Sequence, residues 1–147
     1  VQRMSAGSGI VHSEINQTGA PCRLLQIWIE PAQLGIQPAY EQKPFAIGEG
    51  WTPLIEPDAT GEAMAIERPV HLWRAQPLRQ QHLPLPAAKE RWLWIQVIDG
   101  ELTLNSEGSP NQSLRRGDGL GLIQDAATQG ELIGLSEHAD VLLFALA

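Results

Sequence analysis

Cysteine, positive charge and long apolar runs are all scarce in this chain of 147 residues. Cysteine occurs once, as Cys22, so no internal disulfide can form, and the chain fits a reducing compartment. Cys22 follows Pro21 and has no neighbouring histidine, so it reads as a structural thiol rather than a nucleophile. Ten Lys and Arg stand against 17 Asp and Glu, a net charge of −7. That balance argues against nucleic acid and against an anionic membrane surface as partners. Arg115–Arg116 is the one adjacent basic pair and reads as a solvated loop. No apolar run approaches the roughly 18 residues of a membrane span. No charged-then-apolar leader opens the chain, so a soluble cytoplasmic protein is expected. The chain opens on Val1 rather than Met, which implies either a removed initiator or further sequence upstream.

Helical periodicity is also missing: no 3.6-residue apolar period persists over three turns. Punctuation is abundant instead, with 11 prolines and 14 glycines. Between them lie short runs rich in β-branched and aromatic residues. Leu24–Glu30, Glu90–Ile98, Glu101–Asn105, Gly119–Ile123, Gly130–Leu135 and Asp140–Ala147 all read as strands. Asp99-Gly100 signals a tight hairpin, and Gly117-Asp118-Gly119 a turn into a strand. The segment from Leu85 to Trp94 has some helical character before its aromatic density takes over. Regularly spaced strands predict an all-β sandwich or barrel. The chain is 43% hydrophobic, enough for a core, and the five Trp read as core or barrel-lining residues. Trp92 and Trp94 share one strand face.

Near the start, "GSGIVHSEIN" (Gly7 to Asn16) places His12 two residues before Glu14. On a strand, residues i and i+2 project together, so this imidazole and carboxylate could ligate one ion. Such donors suit iron, manganese, nickel, copper or zinc. Gly7 and Gly9 permit tight backbone just before them. The plainer reading is an exposed polar pair. For His71 in "PVHLWR", His82 in "QQHLPLP" and His138 in "SEHAD", polar strand or loop positions are the simple account. "GDGLGL" lacks the lysine and following helix of a phosphate loop.

The stretch "MSAGSGIVHSEIN" (Met4 to Asn16) resembles the second metal motif of the pirin family within the cupins. Gly9, His12 and Asn16 match the cupin pattern Gly-x-x-His-x-x-x-Asn, and Glu14 is the pirin-type addition. Leu24–Phe45 is similar to the segment that follows in bacterial pirin-like proteins. Arg91–Asn105, Gly117–Leu122 and Asp140–Ala147 look like the family's second barrel. The resemblance implies an all-β cupin fold, a double-stranded β-helix or jelly-roll barrel. It implies residues 1–45 as the end of an N-terminal cupin with half a metal motif, and 46–147 as a C-terminal cupin barrel. It further implies a divalent transition metal, iron first, or copper, nickel or manganese. Some members open the ring of flavonols in quercetin 2,3-dioxygenase fashion. There, His12 would be the third His ligand, and Glu14 the carboxylate ligand and catalytic proton acceptor. The family's first motif is a His-x-His pair that would precede Val1, and no His-x-His occurs in this sequence. The sequence therefore predicts a chain without turnover of its own, with a non-catalytic ligand-binding or interaction module as the alternative. A small aromatic or flavonol-like molecule is the expected ligand. Strands left without partners predict a homodimer or strand-swapped oligomer.

Overall fold

The structure, a computed structural model, describes residues 1–58, 61–87, 92–107, 110–123 and 130–147. Among these residues every helix or strand element is a strand. In order they are β1 (Gln2–Ser5), β2 (Ala39–Gln42), β3 (Thr52–Glu56), β4 (Met64–Ala65), β5 (Val70–Ala75) and β6 (His82–Pro84). Then follow β7 (Trp92–Asp99), β8 (Glu101–Ser106), β9 (Gln112–Arg115), β10 (Gly119–Ile123), β11 (Gly130–Gly134) and β12 (Asp140–Leu146). The chain divides into two compact units, 2–42 and 43–147, the latter together with Val1.

The larger unit is built from two sheets. One has six strands in the order β10-β7-β12-β5-β3-β4, the other four in the order β6-β11-β8-β9. Period-two alternation decides what lies between them. Leu93, Ile95 and Val97 on β7 and Val141, Leu143 and Ala145 on β12 point into one buried cluster. Leu83, Leu102, Leu104, Leu114 and Leu132 meet them from the four-stranded sheet. Each of these larger side chains contributes roughly 1.5–3 kcal/mol by leaving water. The opposite face of the six-stranded sheet is covered as well. Leu72, Leu142 and Phe144 pack there with Leu54, Ile55 and Met64, joined by Phe45 and Ile47. Because β12 is buried on both faces, its sequence is an unbroken apolar run rather than an alternating one. Across β5 and β12, Arg74 donates to both carboxylate oxygens of the buried Asp140 through Nε (2.8 Å) and Nη2 (2.5 Å). That hydrogen bond raises the Arg74 pKa above its ordinary value, against the opposing effect of burial.

Three sequence expectations change. Asp99-Gly100 is no hairpin: β7 pairs with β10 and β12, while β8 pairs with β9 and β11. The two residues form a corner where the chain leaves one sheet for the other. Glycine is needed there because its φ is 75° and a Cβ would run into the His138 carbonyl oxygen. Leu24–Glu30 is in no strand. Strand propensity without a ladder partner does not make a strand. The smaller unit's one described ladder is β1 with β2, pairing Met4 with Tyr40 and Arg3 with Glu41. Trp28 lies in the same run and is 87% exposed, so it lines no core. Trp51 and Trp73 do pack against the main cluster. The helical expectation before Trp92 falls partly on residues 88–91, outside the described residues.

Candidate functional site

His12 and Glu14 lie in the smaller unit, in a segment without strand structure, between β1 and β2 in sequence. The adjacency expected from strand alternation is nonetheless present: His12 Nε2 is 3.9 Å from Glu14 Oε1. Flanking turns hold the segment. Ser8 donates its backbone N–H to the Ile36 carbonyl (3.1 Å), and Gly9 donates to that of Ala6 (2.7 Å). Gly7 has a φ of 53°, and a Cβ there would collide with the Ile36 carbonyl, so the entry turn requires glycine. On the far side Asn16 closes a second turn. Its Nδ2 donates to the Ala20 carbonyl (2.6 Å), and its Oδ1 accepts from the Thr18 N–H (3.1 Å). Asn16 thus holds the loop behind the two donors rather than joining them.

His12 also lines a groove of about 260 Å³, otherwise walled by apolar and aromatic side chains. Ile10 and Val11 come from the same segment, Met4 from β1, and Pro38, Ala39 and Tyr40 from the approach to β2 and from β2 itself. Sequence reasoning missed Met4 and Tyr40 as groove residues. Their signal is the antiparallel register of β1 with β2, which sets Met4 opposite Tyr40. That pairing spans more than thirty residues of chain and has no local sequence signature.

The donor set decides what this site can hold. The His12 and Glu14 side chains are 39% and 44% exposed. Among the described residues no group of three or more His, Cys, Asp and Glu side chains converges. A catalytic metal site normally needs at least three protein ligands to fix its geometry, so the residues present do not fit a complete centre. The other histidines have different company. His71 stacks on Trp73, with ring centroids 5.3 Å apart and planes 8° from parallel. His82 Nδ1 lies 3.0 Å from Glu131 Oε2, and Asn105 Nδ2 donates to Glu131 Oε1 (3.2 Å). The hydrogen bond with His82, reinforced by Asn105, holds the Glu131 carboxyl below the usual carboxylate range. His138 forms an isolated bridge with Leu78.

Residues 54–146 match the family described as "Quercetinase C-terminal cupin domain", and residues 1–29 match the family "Pirin". The chain belongs to the pirin family of cupins. A putative quercetin 2,3-dioxygenase of Pasteurella multocida is 38% identical over 148 residues, covering 99% of this chain and 60% of that protein. A quercetin 2,3-dioxygenase of Escherichia coli K12 is 36% identical over 150 residues, with the same coverage of 99% and 60%. The chain thus spans about three-fifths of the length of these curated pirin relatives. Among solved structures, the bacterial pirin YhhW of Escherichia coli, in complex with nickel(II), superimposes with a TM-score of 0.68 at 30% identity. That match covers 79% of this chain and 47% of the other. The all-β cupin fold expected for a pirin is therefore the fold of this chain, and a divalent metal is bound by a pirin of the same family.

Proposed function

We propose that this chain is a pirin-type cupin carrying two of the ligands of a divalent metal, His12 and Glu14, and that it does not by itself turn over a flavonol. The observation that carries this reading is the 3.9 Å approach of His12 and Glu14 beside an apolar groove. An imidazole and a carboxylate suit nickel, iron, copper or manganese. Such an ion would act as a Lewis acid toward a bound aromatic hydroxyl. Two protein donors leave most of an ion's coordination to water, so its geometry is not fixed by the chain. His12 would supply a neutral nitrogen, Glu14 a charged oxygen able to accept a proton, and the groove the apolar surface for an aromatic ring. A cavity of about 150 Å³ holds benzene, so a groove of about 260 Å³ suits one or two fused rings of a larger ligand.

The test uses the purified chain, loaded with nickel or iron and freed of excess metal. Elemental analysis is expected to show metal below one equivalent, lowered further in His12→Ala, with no loss of quercetin under air. One bound equivalent together with quercetin consumption that disappears in His12→Ala would overturn the reading in favour of a self-sufficient dioxygenase. The second reading, a non-catalytic interaction module, is favoured by the exposed apolar side chains of residues 10–34.

A further inference from the structure

Asp-Gly occurs twice in the sequence, as Asp99-Gly100 and as Asp118-Gly119. An aspartate cyclises most readily before glycine, which has no side chain to shield its amide nitrogen or restrict its backbone. The fold treats the two pairs differently. Asp99 is exposed at the end of β7. Its Oδ1 accepts the N–H of Gly100 at 3.1 Å. β7 ends at Asp99 and β8 starts at Glu101, so Gly100 stands between the ladders, and its N–H is turned to the neighbouring carboxylate. Asp118 is half-buried and otherwise engaged. Its Oδ2 accepts the Arg115 N–H, three residues back, at 2.9 Å. Its carbonyl accepts the Val97 N–H at 3.0 Å and Gln96 Nε2 at 3.1 Å. Gly119 already lies in the β10–β7 ladder, opposite Gln96.

We propose that Asp99 is a site of spontaneous covalent modification in the folded chain, converting to isoaspartate, and that the fold protects Asp118 from the same reaction. Ring closure needs the Gly100 nitrogen at Asp99 Cγ, and reacting atoms about 3–3.5 Å apart are poised for attack. Oδ1 at 3.1 Å from that nitrogen brings Cγ, to which it is bonded, alongside it. The nitrogen bonds to Cγ and gives up its proton. One carboxyl oxygen leaves as water, carrying that proton and the proton of the carboxylic acid. A second water opens the five-membered succinimide at the main-chain carbonyl carbon. The bond from that carbon to the Gly100 nitrogen breaks, and the nitrogen takes up a proton from the water. The chain then runs through Cγ, with a free α-carboxylate, and no electrons are gained or lost. The product lengthens the main chain by one methylene where space is short. Even a Cβ on Gly100 would meet the His138 carbonyl oxygen, Ser136 Oγ and Ala139 Cα. The Gly100 carbonyl also accepts the Arg116 N–H at 3.0 Å. Modification therefore loosens the corner that joins the two sheets, independently of any metal at His12 and Glu14.

The experiment ages the purified chain for several weeks at neutral pH and body temperature, once folded and once in concentrated urea. Isoaspartate is then located by peptide mapping with a protease that cuts before aspartate but not before isoaspartate, and counted with a protein isoaspartate methyltransferase and labelled S-adenosylmethionine. In the folded chain, isoaspartate at position 99 is expected to exceed that at position 118 at least tenfold. In urea the two sites should converge, because their Asp-Gly chemistry is the same once the fold is gone. Asp99→Glu, at an exposed position, is expected to remove the signal from the folded chain, since the longer side chain closes the larger ring far more slowly. The modified fraction should unfold at lower urea than the unmodified one. Absence of isoaspartate at 99 in the folded chain overturns the proposal, and so does a yield at 118 that equals or exceeds it. A preference for 99 that persists undiminished in urea also overturns it, because the selectivity would then belong to the local sequence and not to the fold.

Discussion

A strict local test of the barrel concerns Gly119 and Gly121 on the edge strand β10. In the ladder with β7, Gly119 pairs with Gln96 and Gly121 with Trp94. The six-membered ring of Trp94 lies over both glycines. A Cβ on Gly119 would overlap Trp94 Cζ2, whereas a Cβ on Gly121 would sit 3.6 Å from Trp94 Cε3, an ordinary contact. Neither glycine has a positive φ, so the backbone itself accepts alanine at both positions. The two substitutions therefore separate crowding from strand propensity. Overpacking costs about 1–3 kcal/mol, while replacing glycine by alanine within a strand returns about 0.5–1 kcal/mol. Because Trp94 is 41% exposed, its ring can swing partly outward, which limits the loss. Gly119→Ala is expected to destabilise by roughly 1–2 kcal/mol. At about 2–4 °C per kcal/mol for a chain of this size, Tm falls by about 2–8 °C. Gly121→Ala is expected to be neutral or to stabilise by about 0.5 kcal/mol. Urea unfolding followed by far-UV circular dichroism measures both. The double-mutant cycle with Trp94→Ala is decisive, since removing the indole should abolish the cost of Gly119→Ala. If Gly119→Ala destabilises as much in the Trp94→Ala background as in the parent, the glycine shelf is not the cause and the reasoning fails.

Two further outcomes follow from polar pairs in the larger unit. Asp140 is 9% exposed and accepts from Arg74 twice and from Gln76 Nε2 at 3.2 Å. Asp140→Ala should destabilise by about 1.5–3 kcal/mol, toward the low end because Arg74 reaches solvent; an Arg74→Ala background that leaves this loss unchanged would show that the pair is not its source. Glu131 is held below its ordinary value of 4.5 by His82 and Asn105, so its stabilising contribution is complete above that pH and fades as pH falls through the folded-state value. Glu131→Gln should accordingly flatten the fall in the urea midpoint between about pH 5 and about pH 3, with its deficit from the parent present in full at neutral pH and closing as pH falls; an unchanged acid slope would count against this contribution.

Local pattern made much of the larger unit readable. Alternation on β7 separates Leu93, Ile95 and Val97 from Trp92 and Trp94, as its sequence implies. The apolar run of β12 marks a strand buried on both faces. What escaped reading was pairing between distant segments. Asp99-Gly100 has the composition of a hairpin turn, but turn chemistry says nothing about which sheet the next strand joins. That choice belongs to the ladders of β8 with β9 and β11. Leu24–Glu30 fails for the complementary reason: its side chains suit a strand, but a strand exists only when a partner is there to pair with it.

The same distinction bears on His12 and Glu14. Alternation along a strand led to their adjacency, yet the structure brings them to 3.9 Å with no ladder beneath them. What confines the pair is local: the Gly7–Gly9 turn on one side and the Asn16 turn on the other. Turns place a short segment, but they do not lock side-chain rotamers as packed strand neighbours do. Two half-exposed side chains would therefore lose rotamer freedom on closing around an ion, which would weaken binding relative to a preorganised site. Burial of the surrounding segment would remove that loss without changing either ligand. The family motif in the sequence picks out the two residues, while the strength with which they would hold an ion depends on how firmly the segment around them is fixed.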